Sequence, residues 1–286
     1  MSLPAAIAAA AGTEATGSRH VAGGSINDAL QVDLADGRRA FVKTRPDARP
    51  GEYAAEAASL AWLAEPSAVR LPSVIAVGET FLAIEWIETG ALDAAGEEAL
   101  GRGLGAMHAA GAPCFGAFHD GPAELHVGPL GFDATPSDDW PAFYAERLVR
   151  PLIGRALDRG SLAEGAARAV GRVCDRMAEL AGPPEPPARL HGDLWGGNVL
   201  AGADGGAWLV DPIAYGGHRE VDLAMLRLFG APSERVFAAY READPLAEGH
   251  EDRLALYQLF PLMVHAVLFG GGYGASAGDV ARRYAG

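Results

Sequence analysis

One short stretch, "RLHGDLWGGNVLAGADGGAWLVDP" (189–212), concentrates residue types that can work on a hydroxyl group: Asp193, Asn198 and Asp211. Its apolar runs "NVL" and "AWLV" flank "GADGG", a pattern that predicts two short strands joined by a turn. That hairpin brings the three polar residues to one edge. An amide oxygen and a carboxylate from Asn198 and Asp211 suit a hard cation such as Mg²⁺. The remaining carboxylate, Asp193, is then free to accept a proton from a hydroxyl nucleophile. Asp and Asn also cap turns for purely local reasons, so one D-x-x-x-x-N spacing is weak evidence alone.

The rest of the chain supplies what phosphoryl transfer needs. Lys43 ends the strand-like "AFVK", and Glu56 lies thirteen residues on in the helix-like "GEYAAEAASLAWLAE". A strand lysine that holds the α- and β-phosphates, oriented by a helical glutamate, is the arrangement kinases use. An isolated edge lysine is usually solvated and a helical glutamate usually faces water, so order and element type carry the inference. "AGGSIN" (22–27) offers a backbone-rich phosphate loop, with Gly23 and Gly24 permitting close approach and the Ser25 hydroxyl donating. "FLAIEWIETG" then leads toward a hinge, where backbone groups of Glu85, Trp86 and Ile87 are expected to meet an adenine edge. This order predicts a phosphotransferase.

The elements that must position these residues fall into two regions. Residues 1–88 read as strand–strand–helix–strand–strand: "LQVDL" and "AFVK" alternate around the D-G turn of "ADGR", and "SVIAVGE" and "TFLAIEWIE" follow the helix. From 89 to 286 the pattern is mostly helical. "AGEEALGRGLGAMHAAG", "DDWPAFYAERLVRPLIGRALDRG" (with a break expected at Pro151) and "SLAEGAARAVGRVCDRMAELAG" are helices. "PPEPPA" is a stiff linker into the 189–212 stretch, and helices resume from about Val221. The expected fold class is α+β, with a small antiparallel-sheet lobe carrying one key helix and a larger helical lobe.

Composition sets limits on partners. A formal net charge of −14 over 286 residues argues against nucleic acid or an anionic membrane. A phosphate ligand must therefore be held by local cations or a metal. The two cysteines, Cys114 and Cys174, form no disulfide framework and no zinc pattern, as expected of reduced thiols in a cytoplasmic protein. "MSLPAAIAAAAG" lacks a basic n-region and reads as a helix, not a signal sequence. No apolar run approaches the roughly 20 residues that span a bilayer. Oligomeric state is left open.

"HGDLWGGNVL" together with "VDPIAYGGHREVDLAM" resembles the fructosamine kinase (ketosamine-3-kinase) family, within the aminoglycoside-phosphotransferase-like branch of the protein-kinase fold. The likeness extends through "GGSIN", "FVK", "EAASL", "GAMHAAG", "FGAF", "LYQLF" and "LFGGGY", nearly the whole chain. It implies an ATP- and Mg²⁺-dependent kinase acting on a sugar hydroxyl, the 3-hydroxyl of a small or protein-bound ketosamine, in deglycation. By resemblance Asp193 is the catalytic base, Asn198 and Asp211 bind Mg²⁺, and Lys43 with Glu56 positions ATP.

Other positions stay open at this level. His191 is expected to support the catalytic loop, and Asp222 is either an N-terminal helix acid or a brace for that loop. His218, Arg219 and Glu220 either fix the loop or face the sugar. Asp139, Trp140, Phe143, Tyr144 and Arg147 could line the acceptor cleft, with helix packing the competing explanation for the aromatics. Relatives resemble "LYQLYHLLNHLNLFGGGY" where this chain has "LYQLFPLMVHAVLFGGGY": His265 remains, while Pro261, Val264 and Val267 replace polar residues. Lost hydrogen-bonding groups on an acceptor-facing helix would relax sugar specificity. Ser25 stands where some relatives resemble a Cys, which removes redox linkage through that loop. Two alternatives are a kinase of another small hydroxyl compound, such as an aminoglycoside or amino-alcohol, and a nucleotide-binding scaffold without catalysis.

Overall fold

The computed structural model describes residues 2–21, 28–118, 123–230 and 232–286. The proposed phosphate loop, with Gly23, Gly24 and Ser25, lies outside the described residues. Helix α1 (Leu3–Ala10) precedes five antiparallel strands: β1 (Ala15–His20), β2 (Asp28–Leu34), β3 (Arg39–Thr44), β4 (Val74–Gly78) and β5 (Phe81–Glu85), in spatial order β1-β2-β3-β5-β4. Helix α2 (Glu52–Ala64) connects β3 to β4. Strand β1 goes beyond the sequence expectation. Its "ATGSRH" has almost no buried side chain, so the apolar alternation that reveals a strand is absent at this edge.

The sheet buries two faces. Ile7, Val32, Leu34, Val42 and Phe81 form one cluster beneath α1. On the other face Tyr53 and Leu60 of α2 pack on Leu82 and Ile84. The far end of the same helix belongs elsewhere: Trp62 and Leu63 pack with Leu104, Leu194, Leu226 and Tyr240.

After β5 come α3 (Ala94–Ala109), a hairpin of β6 (Glu124–Val127) and β7 (Leu130–Asp133), α4 (Trp140–Ala142), a π-helical stretch (Phe143–Val149) and α5 (Arg150–Asp158). The hairpin departs from the mostly helical expectation; its Gly128–Pro129 step is a turn signal between the short runs "ELHV" and "LGFD". Pro151 does not break the chain. It sits in the first turn of α5, where its missing N–H costs little, and the widened π turn lies just before it. Helices α6 (Glu164–Asp175) and α7 (Met177–Leu180) lead to β8 (Ala188–Leu190).

Strands β9 (Val199–Ala201) and β10 (Ala207–Leu209) pair as the expected hairpin, with Val199 opposite Leu209. Strand β11 (Tyr215–Gly217) returns to pair with β8. The chain then runs through α8 (Glu220–Leu228), α9 (Glu234–Ala243), α10 (His250–Tyr257), α11 (Leu259–Phe269) and α12 (Tyr273–Tyr284). No helix is long and apolar enough to cross a membrane among the described residues. Pro261, Val264 and Val267 are buried, the two valines within the large helical core, so this side of α11 packs against protein.

Candidate active site

The hairpin mouth brings the three polar residues of 189–212 together. The Val210 amide donates to the Asn198 carbonyl at 3.1 Å, so Asn198 and Asp211 flank adjoining strand ends. Asn198 Nδ2 donates to the Asp193 carbonyl at 2.8 Å and to its carboxylate Oδ2 at 3.0 Å. Both amide hydrogens face Asp193, which leaves Asn198 Oδ1 as a free oxygen donor. Asp211 has a left-handed backbone, with φ of 59°. Asp tolerates that region better than most side chains, yet it still carries strain on the order of 1–3 kcal/mol.

Lys43 reaches this point from the sheet. Its Nζ lies 2.6 Å from Glu56 Oε1 and 2.5 Å from Asp211 Oδ1, with the lysine itself buried. Burial works to lower the Lys43 ammonium, but the Glu56 and Asp211 carboxylates outweigh it and hold it above its ordinary value. Glu56 is raised, burial outweighing the attraction of Lys43. Asp193 is pushed up to about 6, first by burial and then by the charges of Asp211 and Asp222, against the Asn198 hydrogen bond.

The loop carrying Asp193 is braced from below. Asp222, fully buried in the first turn of α8, accepts from the His191 amide at 2.7 Å and the Gly192 amide at 3.0 Å. Burial works to raise Asp222, yet the His108 bond, the nearby imidazoles and the Gly192 amide together hold it below the usual carboxylate range. Both roles weighed for Asp222, helix acid and loop brace, are thus combined. Gly192 has φ of 83°, and a Cβ there would lie 2.0 Å from the Ile213 carbonyl, so only glycine fits. His191 Nε2 lies 3.0 Å from the Val210 carbonyl, while Nδ1 accepts from the Asp193 amide at 3.3 Å. That pairing fixes the neutral tautomer with the proton on Nε2, and burial lowers the His191 pKa in the same sense.

Two residues in this network carried no signal of their own. His108 places Nε2 3.3 Å from Asp222 Oδ2, and its Nδ1 lies 2.8 Å from the Tyr240 hydroxyl. A histidine at the end of an apolar helix reads as core until its partners are known.

At the hinge, the Glu85 amide is spent on Ser73 O and the Trp86 amide on Arg39 O. The Ile87 amide has no partner among the described residues, so it is the open donor of the three.

The structure separates the expected acceptor residues. His265 is half-buried beside an aromatic group: Phe229 at 4.4 Å, Tyr273 at 5.1 Å and Phe269 at 5.3 Å between ring centroids. Trp195, two positions after Asp193 and partly exposed, meets Phe229 edge-on at 6.5 Å. Trp140 and His218, by contrast, are interior residues. Trp140 donates Nε1 to Tyr257 Oη at 3.1 Å, and His218 stacks on Tyr257. Phe143 and Tyr144 are buried with them. Glu220 is buried in a bidentate pair with Arg253, and Arg219 is paired with Glu185 and Asp244. Burial and ion pairing remove these side chains from contact with a dissolved acceptor. Asp139 caps α4 through the Ala142 amide, and Arg147 bonds to the Thr135 carbonyl.

Oxygen donors are what Mg²⁺ prefers, and Asn198 with Asp211 supplies one neutral and one charged. Among the described residues no group of three or more His, Cys, Asp or Glu side chains forms a complete metal cage.

Comparison with known proteins identifies the family. The family model described as "Fructosamine kinase" matches residues 4–285. A Thermus thermophilus protein designated a probable ketoamine kinase is 38% identical over 271 residues, covering 94% of this chain and 95% of that protein. The crystal structure of a protein assigned as a fructosamine-3-kinase from Thermobifida fusca superposes with a TM-score of 0.92 at 44% identity, covering 98% of this chain and 97% of the other. A type I macrolide 2'-phosphotransferase shares the fold alone, with a TM-score of 0.62 at 17% identity over 96% of this chain and 94% of its own. The protein is an ATP-dependent phosphotransferase of the two-lobed, protein-kinase-like class, and the chain belongs to the fructosamine kinase family.

Proposed function

We propose that this protein transfers the γ-phosphoryl group of ATP to the 3-hydroxyl of a ketosamine, a step that destabilises the sugar adduct and frees the amine in cytoplasmic deglycation. The observation that carries this reading is the meeting of Asp193, Asn198, Asp211, Lys43 and Glu56 at one point. The family and the names of its relatives support the acceptor class.

In this reading residues 1–88 are the nucleotide-binding lobe and residues 89–286 the catalytic lobe. Gly23, Gly24 and Ser25 cover the phosphates, the Ile87 amide meets the adenine edge, and Lys43, held by Glu56, grips the α- and β-phosphates. Asp193 accepts the proton of the acceptor hydroxyl. The new O–P bond forms on the acceptor as the bond to the β-phosphate oxygen breaks, and ADP leaves. Asn198 and Asp211 would hold Mg²⁺, which neutralises charge on the transferring group when bound. Trp195, Phe229 and His265 border the acceptor, with the open His265 Nε2 available to a hydroxyl. Arg147 and Asp139 are engaged within the protein.

Incubation of the purified protein with fructosyl-lysine or ribulosyl-lysine, MgATP and an ADP-release assay tests this. Turnover with phosphorus bound at O3 by NMR is expected. Turnover of an aminoglycoside or amino-alcohol, with none of either ketosamine, would transfer the reading to another acceptor.

A further inference from the structure

In the helical lobe, α8, α9 and α10 line a half-open pocket of about 320 Å³, in the range of small-molecule sites. Leu223, Phe237, Leu246 and Leu254 give it an apolar floor. Three of its charged lining residues are occupied: Arg227 and Glu234 pair with each other, and Glu220 pairs with Arg253. Three polar groups are not. Arg241 and Glu251 form no hydrogen-bonded ion pair among the described residues, although the Glu234 carboxylate acts on Arg241 through space. His250 Nδ1 lies 3.2 Å from the Ala247 carbonyl and must donate to it, so the neutral ring leaves Nε2 as an acceptor. That Nε2 is buried and has no partner, a state that costs free energy until something donates to it.

These groups specify a ligand. A guanidinium with no hydrogen-bonded carboxylate partner suits a carboxylate. An imidazole acceptor one residue from a free carboxylate suits an ammonium group, and the floor suits an aliphatic or aromatic side chain. The wall also touches the catalytic machinery. Tyr240 lines the cavity, its hydroxyl meets His108, and His108 meets the Asp222 carboxylate that holds the His191 and Gly192 amides.

We propose that this cavity is a second binding site, for an apolar α-amino acid, and that its occupancy is communicated to the catalytic loop through Tyr240, His108 and Asp222. The ligand is an effector and not a phosphoryl acceptor, so the inference stands apart from the identity of the acceptor.

Calorimetric titration of the full-length protein with L-leucine and L-phenylalanine tests the site. Two controls, 4-methylpentanoate and 3-methylbutylamine, keep the apolar body but carry one charge each. Saturable one-site binding of an amino acid is expected, weakened about tenfold or more when either charge is missing, the scale of one charge-assisted hydrogen bond. Arg241→Ala, which removes the counter-charge, and Leu246→Trp, which fills the floor, should each abolish it and leave MgATP affinity unchanged. Saturating amino acid should shift the Kd for MgATP about fivefold or more. Tyr240→Phe keeps the ring in the wall and should retain binding while losing that shift. Absence of saturable binding at millimolar amino acid, or equal binding in both cavity variants, overturns the site. Binding that leaves MgATP affinity unmoved in the unaltered protein overturns the relay.

Discussion

Lys43 and Asp211, 168 positions apart in sequence, meet at 2.5 Å between Nζ and Oδ1. The contact spans the cleft: one residue lies near the end of strand β3 and the other follows the β9–β10 hairpin. With Glu56 at 2.6 Å on its other side, the ammonium is the shared counter-charge of two carboxylates.

Lys43→Ala is therefore expected to leave Glu56 and Asp211 repelling each other and any phosphate. A loss of about 100- to 1,000-fold in kcat/KM for ATP is predicted, the scale seen when one electrostatic stabiliser is removed. Lys43→Arg should not restore activity, because a planar fork cannot occupy a point fixed between two carboxylates. Steady-state kinetics with varied ATP checks both.

Asp193→Asn removes the proton acceptor while keeping shape and the hydrogen bond to Asn198. Turnover should fall by about 10²- to 10⁴-fold, the usual contribution of a general base. Nucleotide affinity by calorimetry should stay near that of the unaltered protein. Retention of turnover would remove Asp193 from the role of base.

Asp222→Asn tests the loop brace. One of the two amide bonds from His191 and Gly192 loses its acceptor, and hydrogen bonds to charged groups are worth about 1.5–3 kcal/mol. A loss of that size in urea unfolding should accompany a fall of about 100-fold in kcat/KM, as expected for a displaced catalytic group.

His218 should make stability depend on pH. Its folded pKa is lowered to about 4, chiefly by burial, with Glu185 opposing and Arg253 and Arg219 assisting. Between the ordinary histidine value of about 6.5 and that point, the unfolded chain binds a proton that the folded protein excludes. Its contribution is thus full above about pH 6.5 and lost as pH falls toward 4. His218→Gln should flatten the slope of the urea midpoint in that window; an unchanged slope would show that other groups set it.

Val264→Asn restores a polar residue at a position where relatives resemble Asn. Because Val264 is buried among apolar neighbours, a loss of about 1–3 kcal/mol of stability is predicted. Acceptor preference, measured as kcat/KM ratios between two ketosamines, should not change.

The spacing of Asp193, Asn198 and Asp211 was legible because strand ends and turns are local, and the β9–β10 hairpin follows directly from "GADGG". Lys43 and Glu56 were legible as element types in order, although their contact depends on how α2 lies on the sheet. Trp140 and His218 were not legible as interior residues, since aromatic and imidazole side chains serve cores and ligands equally well. The His108–Tyr240 link was hidden for a different reason. It joins helices 132 positions apart, and no periodicity along one helix encodes the partner of a polar group on another. Strand β1 is not legible because an exposed edge needs no apolar alternation.

Helix α2 belongs to two cores. Tyr53 and Leu60 are packed with the sheet, while Trp62 and Leu63 are packed with the helical lobe. Arg189 stacks on Trp62 at 4.4 Å, and the Ala214 amide donates to Ser59 Oγ at 3.3 Å. A helix anchored at both ends is a strut, not a lever. Glu56 cannot swing away from Lys43 unless one of those cores is opened. Rotation of this helix would have to break contacts in both cores at once.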